Sequence, residues 1–298
     1  MNVNIGELSA FFTAICWTIT ALSFEYAGKR VGSLSVNLIR LIFAFFLLSF
    51  YGLFSRGYFL PFDASKENIL WLSISGIIGF VIGDLFLFQS FVLIGSRISL
   101  LIMSLSPPIT AAFGYFILHE SLSYLSIIGM VITIFGILLV ILNKEKKSKI
   151  KFSHPLKGII FAFIGSLGQS LGLIFTKLGS IDYDPFGVTQ IRVISAIIGF
   201  SIFFSIKRGL WKKVFNTFKY KQSLLFIVLG SFFGPFLGVT LSVVALKYAP
   251  TGIVSTITSI TPVLIIPFSF FLFKERIFKK EIFGAIISVI GISILFIT

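Results

Sequence analysis

Long apolar stretches, separated by short polar breaks, run through the whole chain. A helix that crosses the hydrocarbon of a bilayer needs roughly 20 mainly apolar residues. Ten stretches meet that length, at about 6–26, 34–54, 69–94, 97–118, 122–142, 157–178, 186–206, 222–246, 251–273 and 280–297. Runs such as Ile127–Val140 do not alternate, so a barrel of short alternating strands does not fit. Helices satisfy their own backbone groups in lipid, and the pattern predicts an all-α integral membrane fold of ten transmembrane helices.

The pattern also repeats. At an offset of 152, Gly6 falls on Gly158, Ile39-Arg40 on Ile191-Arg192 and Arg56-Gly57 on Arg208-Gly209. At an offset of 155, Gly79 and Gly83 fall on Gly234 and Gly238, Pro107 on Pro262, Glu120 on Glu275, Gly129 on Gly284 and Gly136 on Gly291. Arg, Pro, Glu and Gly in register are poor products of chance in apolar text. The chain therefore divides into a five-helix unit over 1–143, a basic linker over 144–156 and a second five-helix unit over 157–298. An odd number of spans inverts the second unit relative to the first. Inverted repeats are a hallmark of secondary transporters, in which two similar halves exchange roles around a central cavity.

Composition agrees. Hydrophobic residues make up 56% of the 298 and charged residues 12%, too few to cover a water-facing surface. Lys and Arg outnumber Asp and Glu by 25 to 11, an excess that in a soluble protein would suggest nucleic acid. Its placement says otherwise. The loops on the face away from the termini carry 19 of the basic residues, and the face with the termini carries Arg56, Lys66, Lys177 and Lys247. The positive-inside rule then puts both termini outside, and no nucleic-acid partner is expected.

Asp84 is the sharpest polar residue, because a charge near the bilayer midplane costs about 2.5–3.5 kcal/mol. It fits a site for an amine or a proton. The alternative is a helix-to-helix hydrogen bond or an ion pair with Arg40 or Arg97. Arg40 and Arg192 either hold a carboxylate in a bidentate fork, or snorkel toward the interface or tie helix ends together. Trp17, Gln89, Gln169 and Gln190 are further candidates for a cavity lining. Gly79, Gly83, Gly234 and Gly238 set small residues at helical spacing for close packing. Pro107 and Pro262 interrupt the fourth span of each unit as breaks or hinges. Glu120 and Glu275 end those spans as structural helix-end acids, and Glu25 and Lys177 also read as interfacial.

Other chemistry is not visible. There is no G-x4-G-K-[ST] run, His119 and His154 form no metal pair, Cys16 stands alone and no Ser-His-Asp arrangement can be read. No enzyme, cofactor or metal site is expected.

Trp17, Arg40, Gly79, Gly83, Pro107, Glu120, Gly129 and Gly136, followed by Arg192, Gly234, Gly238, Pro262, Glu275, Gly284 and Gly291, stand in an order and spacing that resembles the EamA family of the drug/metabolite transporter superfamily. The resemblance covers nearly the whole chain. It implies a ten-helix basket around a central cavity and export of amino acids, other small metabolites or drugs, with proton coupling. It places the protein in a bacterial cytoplasmic membrane, with a small-molecule substrate, lipid and protons as partners and a monomer as sufficient. It also implies cytosolic termini, against the charge count. Unit two departs by carrying Gln169 where unit one has Trp17, and Val239 where unit one has Asp84, so an asymmetric cavity is expected. Two other readings stay open: a lipid or lipid-linked-sugar flippase, and a membrane structural or sensor protein without transport.

Overall fold

The computed structural model describes residues 5–118, 123–144, 150–152, 155–207, 209–248, 254, 257–273 and 278–295. They form helices almost throughout: α1 (Ile5–Val31), α2 (Ser33–Arg56), α3 (Lys66–Ser75), α4 (Asp84–Met103), α5 (Ser106–Leu118), α6 (Tyr124–Ile141), α7 (Leu156–Gly179), α8 (Pro185–Ile206), α9 (Leu210–Thr217), α10 (Lys221–Ser231), α11 (Val239–Tyr248), α12 (Thr261–Phe273) and α13 (Lys279–Leu295). One departure from an all-α chain lies at the basic linker, where Leu142–Lys144 and Ile150–Phe152 pair as short antiparallel strands.

Among the described residues, six helical stretches are long and apolar enough to cross a membrane: Ile5–Val31, Ser33–Arg56, Lys66–Met103, Leu156–Gly179, Pro185–Ile206 and Lys221–Tyr248. Ile127–Val140 and Thr261–Leu272 are shorter apolar helices. The division at 94–97 falls on a break in the structure. Helix runs from Lys66 to Met103, 38 residues, which is far longer than one crossing at about 1.5 Å per residue. Gly95 breaks it, with φ 79° and ψ 157°, a conformation that a residue with a Cβ rarely adopts. A second break follows at Ser104–Leu105, before α5.

The prolines sit differently from an interior kink. Pro107 and Pro262 each occupy the first turn of a new helix, α5 and α12. A missing N–H costs nothing there. Both helices follow matching breaks, at 104–105 and 259–260.

Two wide π-helical segments, Gly76–Gly83 and Phe232–Gly238, join α3 to α4 and α10 to α11. Each carries the glycine stripe of its unit, and each faces the first helix of the other unit. A Cβ at Gly168 of α7 would lie 2.6 Å from the Gly83 Cα, so these backbones touch. On the opposite side, a Cβ at Gly234 would meet Thr20 at 2.9 Å, and one at Gly238 would meet Trp17 at 3.1 Å. Helices α2 and α8 pack together, as do α6 and α13, so equivalent elements meet across the two halves.

The main core lies among α1, α2, α4, α8 and α10, with Phe24, Leu38, Leu41, Phe88 and Phe200 buried. Outside it the surface is apolar. Phe54, Phe116 and Phe271 are 87%, 72% and 75% exposed. Such a surface fits lipid, and with the apolar helices it makes this a multi-pass membrane protein. Helix α9 lies in the basic connection, where Leu210, Val214 and Thr217 are buried on one side and Lys212 and Lys213 are exposed on the other.

Candidate functional site

Two helices of the first unit, α2 and α4, and two of the second, α7 and α8, bring charged and amide side chains into the middle of this apolar bundle. Arg40 of α2 pairs with Asp84, the first residue after the glycine-rich π segment. The other Asp84 carboxylate oxygen accepts from Gln169 Nε2 of α7 at 2.6 Å. Gln169 Nε2 also reaches the Gly79 carbonyl at 3.3 Å, and Asn37 Nδ2 donates to the Asp84 carbonyl at 3.2 Å. Arg40 and Asp84 are 3% and 4% exposed, so this pair is out of water. Its Coulomb gain must offset two desolvation penalties, which the extra bonds from Gln169 and Asn37 help to do.

The repeat mate of Arg40 is arranged otherwise. Arg192 of α8 lies with its guanidinium carbon 4.3 Å from the centroid of the Phe80 ring. Arg40 lies over the same ring at 5.6 Å and over Phe88 at 4.6 Å. Arg192 feels the charge of Asp84 but makes no hydrogen bond or ion pair with it, and its Nε has no partner.

These groups line a cavity of about 260 Å³ between the two units, otherwise walled mainly by apolar and hydroxyl side chains. Trp17, Arg40, Asp84, Gln169, Arg192, Gly234, Pro107 and Pro262 all line it, so the structure brings these sequence candidates together. Gly79, Gly83 and Gly238 are packing positions around it. A second cavity, of about 340 Å³, shares Thr110, Leu173 and Leu246 with the first. It extends toward the 180–185 turn, past Lys177, Asp182 and Lys247. The Thr110 hydroxyl at the junction is buried without a partner.

Two candidates belong elsewhere. Gln89 does not line the cavity; its Oε1 accepts from Ser33 Oγ at 2.6 Å and holds the start of α2. Gln190 is the sixth residue of α8, too near the helix end to reach the centre. It donates to Ser49 Oγ at 3.0 Å and the Phe59 carbonyl at 2.7 Å, and accepts from Arg56 at 2.8 Å. Glu120 and Glu275 lie outside the described residues.

Gln190 is part of a latch across the ends of the two units. Arg56 donates to Asp63 at 2.7 Å and to Tyr183 Oη at 2.8 Å, and Tyr183 donates to Asp63 at 3.0 Å. Burial pushes the Asp63 carboxyl up, but hydrogen bonds from Arg56, its own backbone and Tyr183 outweigh it and hold it below the usual carboxylate range. Burial and the Asp63 carboxylate push the Tyr183 phenol up.

The opposite end of the bundle is pinned by buried ions. Glu25 is fully buried rather than interfacial; it pairs with Lys29 and accepts from the Ser96 backbone N–H at 2.6 Å. Arg97 pairs with Glu281 of α13, not with Asp84. Phe80, Thr110 and the hydroxyls of Ser106, Thr258 and Ser259 are cavity residues that the sequence reading missed. The hydroxyls flank Pro107 and Pro262, which was the signal available for them.

A family model described as the EamA-like transporter family matches residues 4–142 and again 156–297. The chain belongs to the EamA-like transporter family. This EamA-like chain also shares its fold with 25 chains of solved structures. One of them, a crystal structure of a protein, superposes with a TM-score of 0.66 at 14% identity, covering 97% of this chain and 95% of that one. At that identity the likeness speaks for the fold alone. No curated protein sequence matches.

Proposed function

We propose that the protein is a secondary transporter that exports a small organic metabolite across a bacterial cytoplasmic membrane, by alternating access between its two five-helix units. One observation carries this reading: polar groups from both units, Arg40, Asp84, Gln169 and Arg192, converge on one apolar-walled cavity where the units meet. Ligand sites are of this kind, mostly apolar with a few convergent polar groups. The breaks before α5 and α12 fall on the cavity lining in both units, as expected for the discontinuous helices of transporters. Ten crossings follow if Ser96–Met103 and α5 together make the fourth. The excess of Lys and Arg on the loops away from the termini then supports termini outside. In that arrangement the adjoining cavity leads outward and the Glu25 and Arg97 pairs close the cytosolic end. The direction of transport rests on the family.

Asp84 is the proposed proton site. A proton there removes the charge that holds Arg40, so proton binding and the position of α2 are linked. The test is purified protein in liposomes loaded with a pH dye, challenged with amino acids, amines, carboxylates and neutral solutes. Solute-dependent proton movement supports coupled transport. Movement of a labelled solute without protons removes the coupling and keeps the transporter. Silence for every solute overturns the reading.

A further inference from the structure

We infer that the cavity takes an organic monoanion, a carboxylate with an apolar body, and that Arg192 docks the carboxylate. The inference rests on the transporter reading above and names the substrate class of that same site. Among the described residues, three ionisable groups line the cavity: Arg40, Asp84 and Arg192. Arg40 and Asp84 neutralise each other, so one positive charge is left over. Arg192 carries it, 6% exposed, with no hydrogen bond or ion pair among the described residues and with an unpartnered Nε. A buried charge of this kind is costly unless something pairs it. The face of Phe80 compensates in part, but it donates no lone pair.

The repeat explains how the imbalance arises. Asp84 follows Gly83 in unit one, and its mate after Gly238 is Val239, which also lines the cavity. Unit two thus keeps the arginine and lacks the acid. A bound carboxylate supplies what Val239 does not.

Charge balance also separates anions from zwitterions. Each Asp84 carboxylate oxygen already accepts one hydrogen bond, from Arg40 and from Gln169. An amino acid bound through its carboxylate at Arg192 brings an ammonium group with it and leaves the cavity its surplus positive charge. Among the described residues the other lining groups are hydroxyls and apolar side chains, including Trp17, Phe88 and Phe91, which carry no charge to pair with the ammonium. A monocarboxylate without a free amine brings the cavity to neutrality and meets the site better.

The experiment uses matched pairs of opposite charge and similar body: benzoate and benzylamine, hexanoate and hexylamine, N-acetylphenylalanine and phenylalaninamide, with phenylalanine as zwitterion. Binding to the full chain in detergent is read by thermal stabilisation and titration. At least one carboxylate binds, and its amine counterpart does not. Arg192→Gln weakens that binding roughly 10–100-fold, the worth of a charge-assisted hydrogen bond, while Arg192→Lys retains part of it. Val239→Asp weakens it as well, with Arg192 still present. Without ligand, Arg192→Gln raises Tm, because it removes an unpaired buried charge; a merely structural arginine would lower it. Binding of amines but not carboxylates, or undiminished carboxylate binding in both Arg192→Gln and Val239→Asp, overturns the inference. In the liposome assay, flux of amines or neutral solutes alone defeats this inference and leaves the transporter standing, whereas silence for every solute defeats the transporter.

Discussion

Replacing Asp84 with asparagine keeps the side chain's shape and removes the one carboxylate among the described residues that line the cavity. Arg40 and Arg192 then remain, 3% and 6% exposed, with no anion between them. Removing one partner of a buried ion pair costs about 3–5 kcal/mol, because the surviving charge keeps its desolvation penalty. Both guanidinium carbons lie over Phe80, at 5.6 and 4.3 Å from its centroid, so the two cations also repel each other across that ring while its face compensates each in part. Arg40→Gln is milder. It leaves Asp84 bonded to Gln169 and within the field of Arg192, and it brings the cavity to zero net charge. The loss expected is that of one hydrogen bond to a charged group, about 1.5–3 kcal/mol. The double variant leaves two neutral amides where the pair stood and recovers at least half of the Asp84→Asn loss. Thermal unfolding in detergent reads the series. By the size scaling for domains, Asp84→Asn lowers Tm on the order of 10 °C. An Asp84→Asn protein as stable as the parent, or a double variant no better than Asp84→Asn, refutes the reasoning.

Gly168→Ala places a methyl 2.6 Å from the Gly83 Cα, where neither backbone has room to yield; a loss of about 1–3 kcal/mol is expected, and an unchanged Tm argues against the close crossing. The Asp63 carboxyl is held below its usual value, so its contribution is present above the unfolded pKa of about 3.9 and is lost as pH falls through the lower folded value. Asp63→Asn therefore lowers Tm at pH 7, and the gap to the parent closes in acid below about pH 3.9; a gap constant with pH contradicts this. Glu281→Gln breaks the buried pair with Arg97 at the end of the bundle opposite the 180–185 turn. In a Cys16→Ser background, a cysteine placed at the cavity residue Met103 should then react faster with a membrane-impermeant maleimide added from that end, and an unchanged rate shows that the pair is no part of the closure.

Much of the architecture could be read from spacing. Arg40 with Arg192, Pro107 with Pro262, and the glycine stripes at 79–83 and 234–238 mark the duplication, because these residue types are rare enough in apolar text to register. The partners of Asp84 were less legible. Arg40 was one of two candidates from the sequence, and the choice depends on how α2, α4 and α7 meet. Gln190 read as a candidate for the cavity lining because it is a polar residue within a span; five residues from the start of α8, it belongs to the Arg56 latch instead. Glu25 looked interfacial for a similar reason, yet the fold-back at Gly95 delivers the Ser96 N–H to it. The π-helical widening at both glycine stripes has no sequence signature beyond the glycines themselves. The missing acid at Val239 was visible in the sequence, but its consequence needed the placement of Arg192.

In the proposed transporter the cavity between the units is the path of the solute. Ser242 lines it from α11 and has no part in the Arg40–Asp84–Gln169 cluster. The decisive measurement is solute flux through liposomes carrying the parent protein or Ser242→Trp, which fills much of a cavity of about 260 Å³. Ser242→Trp is expected to fold with a Tm close to the parent and to lose flux. Undiminished flux through a folded Ser242→Trp protein would contradict it.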